Sequence, residues 1–159
     1  MMKTTVVIAD DQQMICDGLE VILMMEGDFE VLGSFQNGQD VIDFVQTQQP
    51  DVILMDIRMP GIGGIAATHQ IKQMHPSIKI IMLTTFSQDE YMLEALKSGA
   101  NGYILKDAGK GQLISSIRHS LSGQVFIPEK LQPALIEQLN HTDIKLYPYK
   151  TPLTSVGFI

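Results

Sequence analysis

A single cysteine, Cys16, in a chain of 159 residues excludes an intramolecular disulfide framework and fits a reducing compartment. A domain of this length needs no such staples, because it buries roughly two-thirds of its unfolded surface. Apolar runs are short, and none approaches the ~18 residues a membrane helix needs. The N-terminal apolar stretch meets Asp10-Asp11 too soon to be a secretory signal. Basic residues are scarce: 11 lysines and arginines face 18 acids, giving a net charge of −7 with no basic block. Such a chain is a poor nucleic-acid binder by itself, since affinity there comes mostly from neutralised phosphates. These absences predict a soluble, cytoplasmic protein with no membrane partner. What is present, 45% apolar and 18% charged residues, argues for a packed core and against disorder.

The acids are unevenly placed. Residues 1–60 carry eleven of them against Lys3 and Arg58, whereas residues 61–159 carry seven acids against nine bases. Acids gathered near an N-terminal strand suggest a cation as their partner.

Along the chain, β-branched and continuously apolar segments alternate with helical spacing. Residues 4–9 read as a strand buried on both faces. Met14, Ile15, Leu19, Ile22 and Leu23 mark a helix over 13–25, which Gly27-Asp28 breaks. Residues 29–35 read as a second strand, and Val41, Ile42, Phe44 and Val45 mark a helix closed by Pro50. A third strand, 52–55, ends at Asp56, and residues 65–74 are helical. A fourth strand, 78–83, ends at Thr84-Thr85, a helix covers 91–96, and a short fifth strand, 103–105, ends at Lys106. A fifth helix covers 113–121. Five β-α units with buried-type strands predict an α/β fold: a doubly wound, five-stranded parallel sheet with helices on both faces. Residues 128–139 predict one more helix, with Leu131, Leu135, Ile136 and Leu139 on one side. Residues 140–159 carry Pro148 and Pro152, show no period and read as a linker or tail.

In open α/β sheets, ligands sit beyond the carboxyl ends of the strands. The first strand ends at Asp10-Asp11, the third at Asp56, the fourth at Thr84-Thr85 and the fifth at Lys106, so these side chains should converge. Three carboxylates in one pocket repel unless a cation compensates. Mg²⁺ answers that need, because it takes a few carboxylates and keeps positions for water and a phosphate oxygen. Lys106 adds a compact point charge for the same phosphate, and Thr84 a hydroxyl. Asp56 is the candidate nucleophile, since a carboxylate attacking phosphorus forms an aspartyl phosphate. Taken singly, an aspartate at a strand end is as readily a turn former or cap, and Tyr103 a core-edge aromatic.

Four segments stand in order on the proper elements: Asp10-Asp11; Met55-Asp56-Ile57-Arg58-Met59-Pro60-Gly61; Leu83-Thr84-Thr85; and Gly102-Tyr103-Ile104-Leu105-Lys106. Over residues 3–122 the chain resembles the receiver domain of two-component response regulators, with its flavodoxin-like receiver fold. By that resemblance Asp56 accepts phosphate from a sensor histidine kinase. Asp10, Asp11 and Asp56 would hold Mg²⁺ together with the backbone carbonyl of Arg58. Thr84 and Tyr103 match the family's switch pair, and Lys106 its phosphate-binding lysine. The wording of Thr84-Thr85-Phe86 and of residues 94–103 is similar to the NarL/LuxR-type regulators, whose helical linker leads to a DNA-binding helix-turn-helix. The implied organisation is a receiver over 1–122, a helical linker over 123–141, and a tail over 142–159 at the entrance to an absent helix-turn-helix domain. The implied function is a phosphorylation-dependent signalling switch. It would form a homodimer on phosphorylation, and would bind DNA and control transcription only in a full-length form.

Two other readings share part of this pattern. A haloacid-dehalogenase-type hydrolase also places a nucleophilic aspartate after a buried strand, but needs a second acid where Arg58 stands. A pseudo-receiver would be an interaction module that never turns over phosphate, and intact Asp56 and Lys106 weigh against it. Residues 61–66 match G-x-G-x-x-A, yet four residues, Pro60 among them, separate Asp56 from the first glycine, too many for a dinucleotide turn. His69, His75, His119 and His141 lack ligand spacing and read as surface residues, and Cys16 as an incidental thiol.

Overall fold

The computed structural model describes residues 2–85 and 90–141. Through them run β1 (Thr4–Ala9), α1 (Gln13–Glu26), β2 (Phe29–Phe35), α2 (Gly38–Thr47), β3 (Val52–Asp56), α3 (Gly64–Met74), β4 (Lys79–Thr84), α4 (Met92–Lys97), β5 (Gly102–Leu105), α5 (Lys110–Leu121) and α6 (Gln132–His141). The strands form one parallel sheet in the order β2-β1-β3-β4-β5. This is the doubly wound, flavodoxin-like arrangement that the sequence predicts. Its order reverses between β1 and β3, which opens a crevice at their carboxyl ends.

Period-two alternation sends the strand side chains to two cores. Val6, Ile8, Leu54, Ile81, Leu83 and Ile104 pack with Cys16 and Leu23 of α1 and with Leu113, Ile114 and Ile117 of α5. Val7, Ala9, Ile53, Met55, Ile80, Met82 and Tyr103 face α2, α3, α4 and α6. Because β1 and β3 lie inside the sheet, every side chain of β3 is buried, Asp56 included. Among the described residues, no helix is long and apolar enough to cross a membrane.

Helix starts differ from the sequence expectation where the first turn is polar. α5 begins at Lys110 rather than 113, because Lys110, Gly111 and Gln112 are exposed and add nothing to an apolar period. The helix expected over 128–139 opens instead as a 3-10 turn at Glu129–Leu131, and α6 runs on to His141. Pro128 and Pro133 account for that entry: each lacks an N–H, and Pro133 falls in a first turn, where none is needed. The tail expected over 142–159 lies outside the described residues.

After α5 the chain returns to the sheet edge. Tyr103 donates its backbone N–H to the Phe126 carbonyl at 2.8 Å, and Gly102 bridges Phe126 in parallel. Leu131 and Leu135 are then buried against the same core as Tyr103 and Met92. A one-residue bridge leaves no periodic signal, so sequence patterning misses this seating.

The loop after β3 is built around one close approach. Gly64 starts α3, donates its N–H to the Ile57 carbonyl at 2.8 Å, and lies so near Asp56 that a β-carbon would overlap the Asp56 carbonyl oxygen. Gly63 and Gly64 thus let α3 press on the end of β3, and Gly61 turns the loop through a left-handed φ of 72°, with no nucleotide needed to explain them. Gly64→Ala is expected to destabilise the fold by about 2 kcal/mol, the scale of an overpacked core. Urea unfolding measures it; a change below ~0.5 kcal/mol would mean that the loop yields without strain.

Candidate functional site

Asp10 follows β1, Asp56 ends β3, and these two strands are hydrogen-bonded neighbours. Their carboxylates therefore meet at the switch point. Asp10 is fully buried: its N–H donates to the Phe35 carbonyl at 2.9 Å, and its Oδ1 accepts from the Gln12 N–H at 2.9 Å. Asp11, the next residue, is exposed, and carboxylate oxygens of Asp10, Asp11 and Asp56 lie within 4.8 Å of one another. Lys106 follows β5 and reaches over the pocket. Its Nζ stands 2.9 Å from Asp10 Oδ2 and 3.2 Å from Asp56 Oδ1. The Lys106 N–H donates to the Thr84 carbonyl at 2.8 Å, so β4 fixes where this lysine starts.

The electrostatics follow from burial. Asp56 is 2% exposed. Desolvation first, then the charge of Asp10, push its carboxyl up to about 6, against the pull of Lys106 and the backbone N–H of Arg58. Desolvation works against the Lys106 ammonium, but the hydrogen bond to Asp10 and the charges of both aspartates outweigh it and raise its pKa. Beyond Lys106, Asp10 Oδ2 and Asp56 Oδ1 have no hydrogen-bond partner among the described residues. Three carboxylates and one ammonium leave negative charge on buried oxygen donors. That donor set is the one a hard divalent cation takes, and the residues present fit such an ion.

The remaining expected residues surround this pocket. Thr84, the last residue of β4, is buried, and its Oγ1 donates to the Thr85 carbonyl at 3.0 Å. Tyr103 lies within β5 opposite Met82, fully buried among the α4 and α6 side of the core, and its hydroxyl has no hydrogen-bond partner among the described residues. Burial above all, then the charge of Glu94, raises its pKa far above the usual phenol. Arg58 is exposed, and its side chain turns away from Asp56: Nη1 donates to Tyr91 Oη at 2.9 Å, with the guanidinium 5.6 Å from the Tyr91 ring centre. Sequence reasoning gave Arg58 only a backbone role and missed Tyr91, because a contact across 33 residues has no local signature.

Cys16 is buried beneath the site and its Sγ donates to the Asp10 carbonyl at 3.4 Å. Burial and then the Asp10 charge push the thiol up, so it packs as a protonated side chain. Of the histidines expected at the surface, His69 and His119 are exposed and His75 is half-buried; the His141 side chain lies outside the described residues.

Residues 6–118 match the family described as the response regulator receiver domain. The chain is 41% identical over 140 residues to the transcriptional regulatory protein DesR of Bacillus subtilis (strain 168), covering 87% of this chain and 69% of that protein. It is 36% identical to the transcriptional regulatory protein DegU of Brevibacillus brevis, covering 86% of this chain and 58% of that protein. A crystal structure of a LuxR-family DNA-binding response regulator from Staphylococcus aureus superposes with a TM-score of 0.70 at 31% identity, covering 74% of this chain and 98% of that one. This chain therefore spans between about half and about two-thirds of the length of such regulators. With its parallel sheet, its acidic pocket at the switch point and these relatives, the chain belongs to the receiver domains of two-component response regulators, of the NarL/LuxR type.

Proposed function

We propose that Asp56 accepts a phosphoryl group from the phosphohistidine of a sensor histidine kinase, and that the chain works as a phosphorylation-dependent switch. The observation that carries this is the buried Asp56 carboxylate, 3.2 Å from Lys106 and within 4.8 Å of Asp10 and Asp11. An Asp56 oxygen attacks phosphorus, the O–P bond forms, the N–P bond breaks, and the imidazole leaves and takes up a proton. Mg²⁺, held by Asp10, Asp11, Asp56 and the Arg58 carbonyl, would neutralise phosphoryl oxygens. Lys106 supports the transferred group as a point charge, and the Thr84 hydroxyl donates to it. The protein then promotes only its own phosphorylation and dephosphorylation. Positioning and charge neutralisation do most of the work in such transfers, and these side chains supply both.

The aspartyl phosphate carries about two negative charges where the Asp56 carboxylate carried one, next to Thr84 and Tyr103, which would bias the switch face toward a homodimer. In a full-length form, residues 1–122 would be the receiver and 123–141 the linker to a helix-turn-helix that controls transcription. The relatives' names as transcriptional regulatory proteins support that role for them, and by likeness for this chain. Incubation with Mg²⁺ and acetyl phosphate is expected to add one phosphoryl mass, and EDTA present from the start to block that labelling. Retention of the mass shift in Asp56→Asn would sink the assignment.

A further inference from the structure

The N-cap residue of α4 is Tyr91, whose side chain makes no capping bond. The first N–H groups of a helix take their partners from outside it. One comes from α6: Gln138 Oε1 accepts the Leu93 N–H at 2.9 Å, across 45 residues. The same turn is tied from the other side by Arg58, through the 2.9 Å bond to the Tyr91 hydroxyl and the stacking on its ring. Arg58 is also joined to Asp56, because its backbone N–H donates to the Asp56 carboxylate. Asp56, Arg58 and Tyr91 are thus linked side by side, and the backbone of α4's first turn carries the link from Tyr91 to Leu93 and so to Gln138 of α6.

We propose that α6 is the cap of α4, and that Arg58 is a positioning residue that reports the charge on Asp56 to this cap through Tyr91. The proposal rests on Asp56 being the phosphoacceptor, and it deepens that reading by naming how the phosphoryl charge leaves the site. A guanidinium prefers a phosphoryl oxygen to a phenol, because the bond is charge-assisted on both sides and bidentate. Arg58 is rooted beside Asp56, so a phosphoryl group there competes with Tyr91 for it. Once Tyr91 loses its donor, the first turn of α4 loosens, the Leu93–Gln138 bond opens and α6 lifts Leu131 and Leu135 off the core they share with Tyr103 and Met92. Linkage makes the effect reciprocal: whatever holds α6 in place disfavours the phosphorylated site. α6 is the segment that would lead to an output domain, so its undocking is a signal that such a domain reads directly.

Amide hydrogen exchange on the full chain tests this, with beryllofluoride and Mg²⁺ as the phosphoryl analogue and the fluorine resonance of the bound fluoride reporting occupancy of Asp56. In the occupied wild type, exchange at Leu93 and across 132–141 is expected to rise about fivefold or more, the scale of one lost cap. Gln138→Ala is expected to speed Leu93 exchange before any analogue is added, and Gln138→Glu, which keeps an acceptor, to restore protection. Tyr91→Phe keeps the ring in the core and removes only the hydroxyl; its α4 exchange is expected to start high and respond little to the analogue. An occupied wild-type site with unchanged exchange in 132–141 would overturn the proposal. Wild-type protection at Leu93 in both Gln138→Ala and Tyr91→Phe would overturn it equally. A missing fluorine signal would instead count against Asp56 as the acceptor, and the variants without analogue still decide the capping role.

Discussion

Lys106→Met is expected to slow acceptance of a phosphoryl group by roughly 10²–10³-fold, the usual loss when one preorganised charge partner is removed from a transfer site. The same change is expected to destabilise the metal-free chain by about 3 kcal/mol, because it strands charge on carboxylates already out of water. Among the described residues, Lys106 Nζ is the one side-chain cation bridging Asp10 and Asp56, at 2.9 and 3.2 Å. Without it the two buried carboxylates lose that bridge, and Asp56 protonates more readily and loses nucleophilicity. Mg²⁺ restores stability, since it supplies the missing positive charge, but not the rate, since it cannot stand where the ammonium stands. Single-turnover labelling with acetyl phosphate reads the first effect; urea unfolding in EDTA and in Mg²⁺ reads the second. Adding Asp10→Asn to Lys106→Met should recover part of the stability, a coupling expected of residues in direct contact. Labelling within threefold of wild type would remove Lys106 from the transfer step.

The fold was legible because its information is periodic. Continuous apolar strands such as Val52–Asp56 and spaced apolar helices such as Gln13–Glu26 announce themselves within a short window. The pocket was legible for a related reason: a parallel sheet brings all strand ends to one edge, so Asp10, Asp56 and Lys106 follow from topology alone. What stayed hidden lies in side-chain reach. Nothing near Arg58 says that it will stack on Tyr91 rather than point at Asp56, and nothing near Gln138 says that it will cap α4. The bridge from Phe126 to Gly102 is equally silent, being one residue long. Tyr103 illustrates the boundary: its place on β5 is plain from the sequence, but its burial against α6 depends on a segment whose helical spacing does not say where it docks.

Asp56→Asn is expected to stabilise the metal-free chain at neutral pH while abolishing its labelling. In the unfolded chain the Asp56 carboxyl ionises near 3.8, and in the folded chain only at about 6, through burial and then the Asp10 charge. Between those values the folded state holds a proton that the unfolded state has released. The contribution of this group to stability is therefore greatest below about pH 4, falls as pH rises through 6, and is level above. The whole difference corresponds to about 3 kcal/mol, and asparagine, which does not titrate, escapes it. The variant should thus match the wild type near pH 4 and exceed it by up to about 3 kcal/mol near pH 7.5 in EDTA. Mg²⁺ should close the gap by stabilising the wild type, in proportion to its binding, and do much less for the variant. Denaturant unfolding at the two pH values, with and without Mg²⁺, separates these effects. Stability of the two proteins that runs parallel across the range would mean that Asp56 is not held ionised against its surroundings. A carboxylate so held favours any step that brings positive charge to it, and cation binding is such a step, one that must come before a phosphoryl group adds more negative charge.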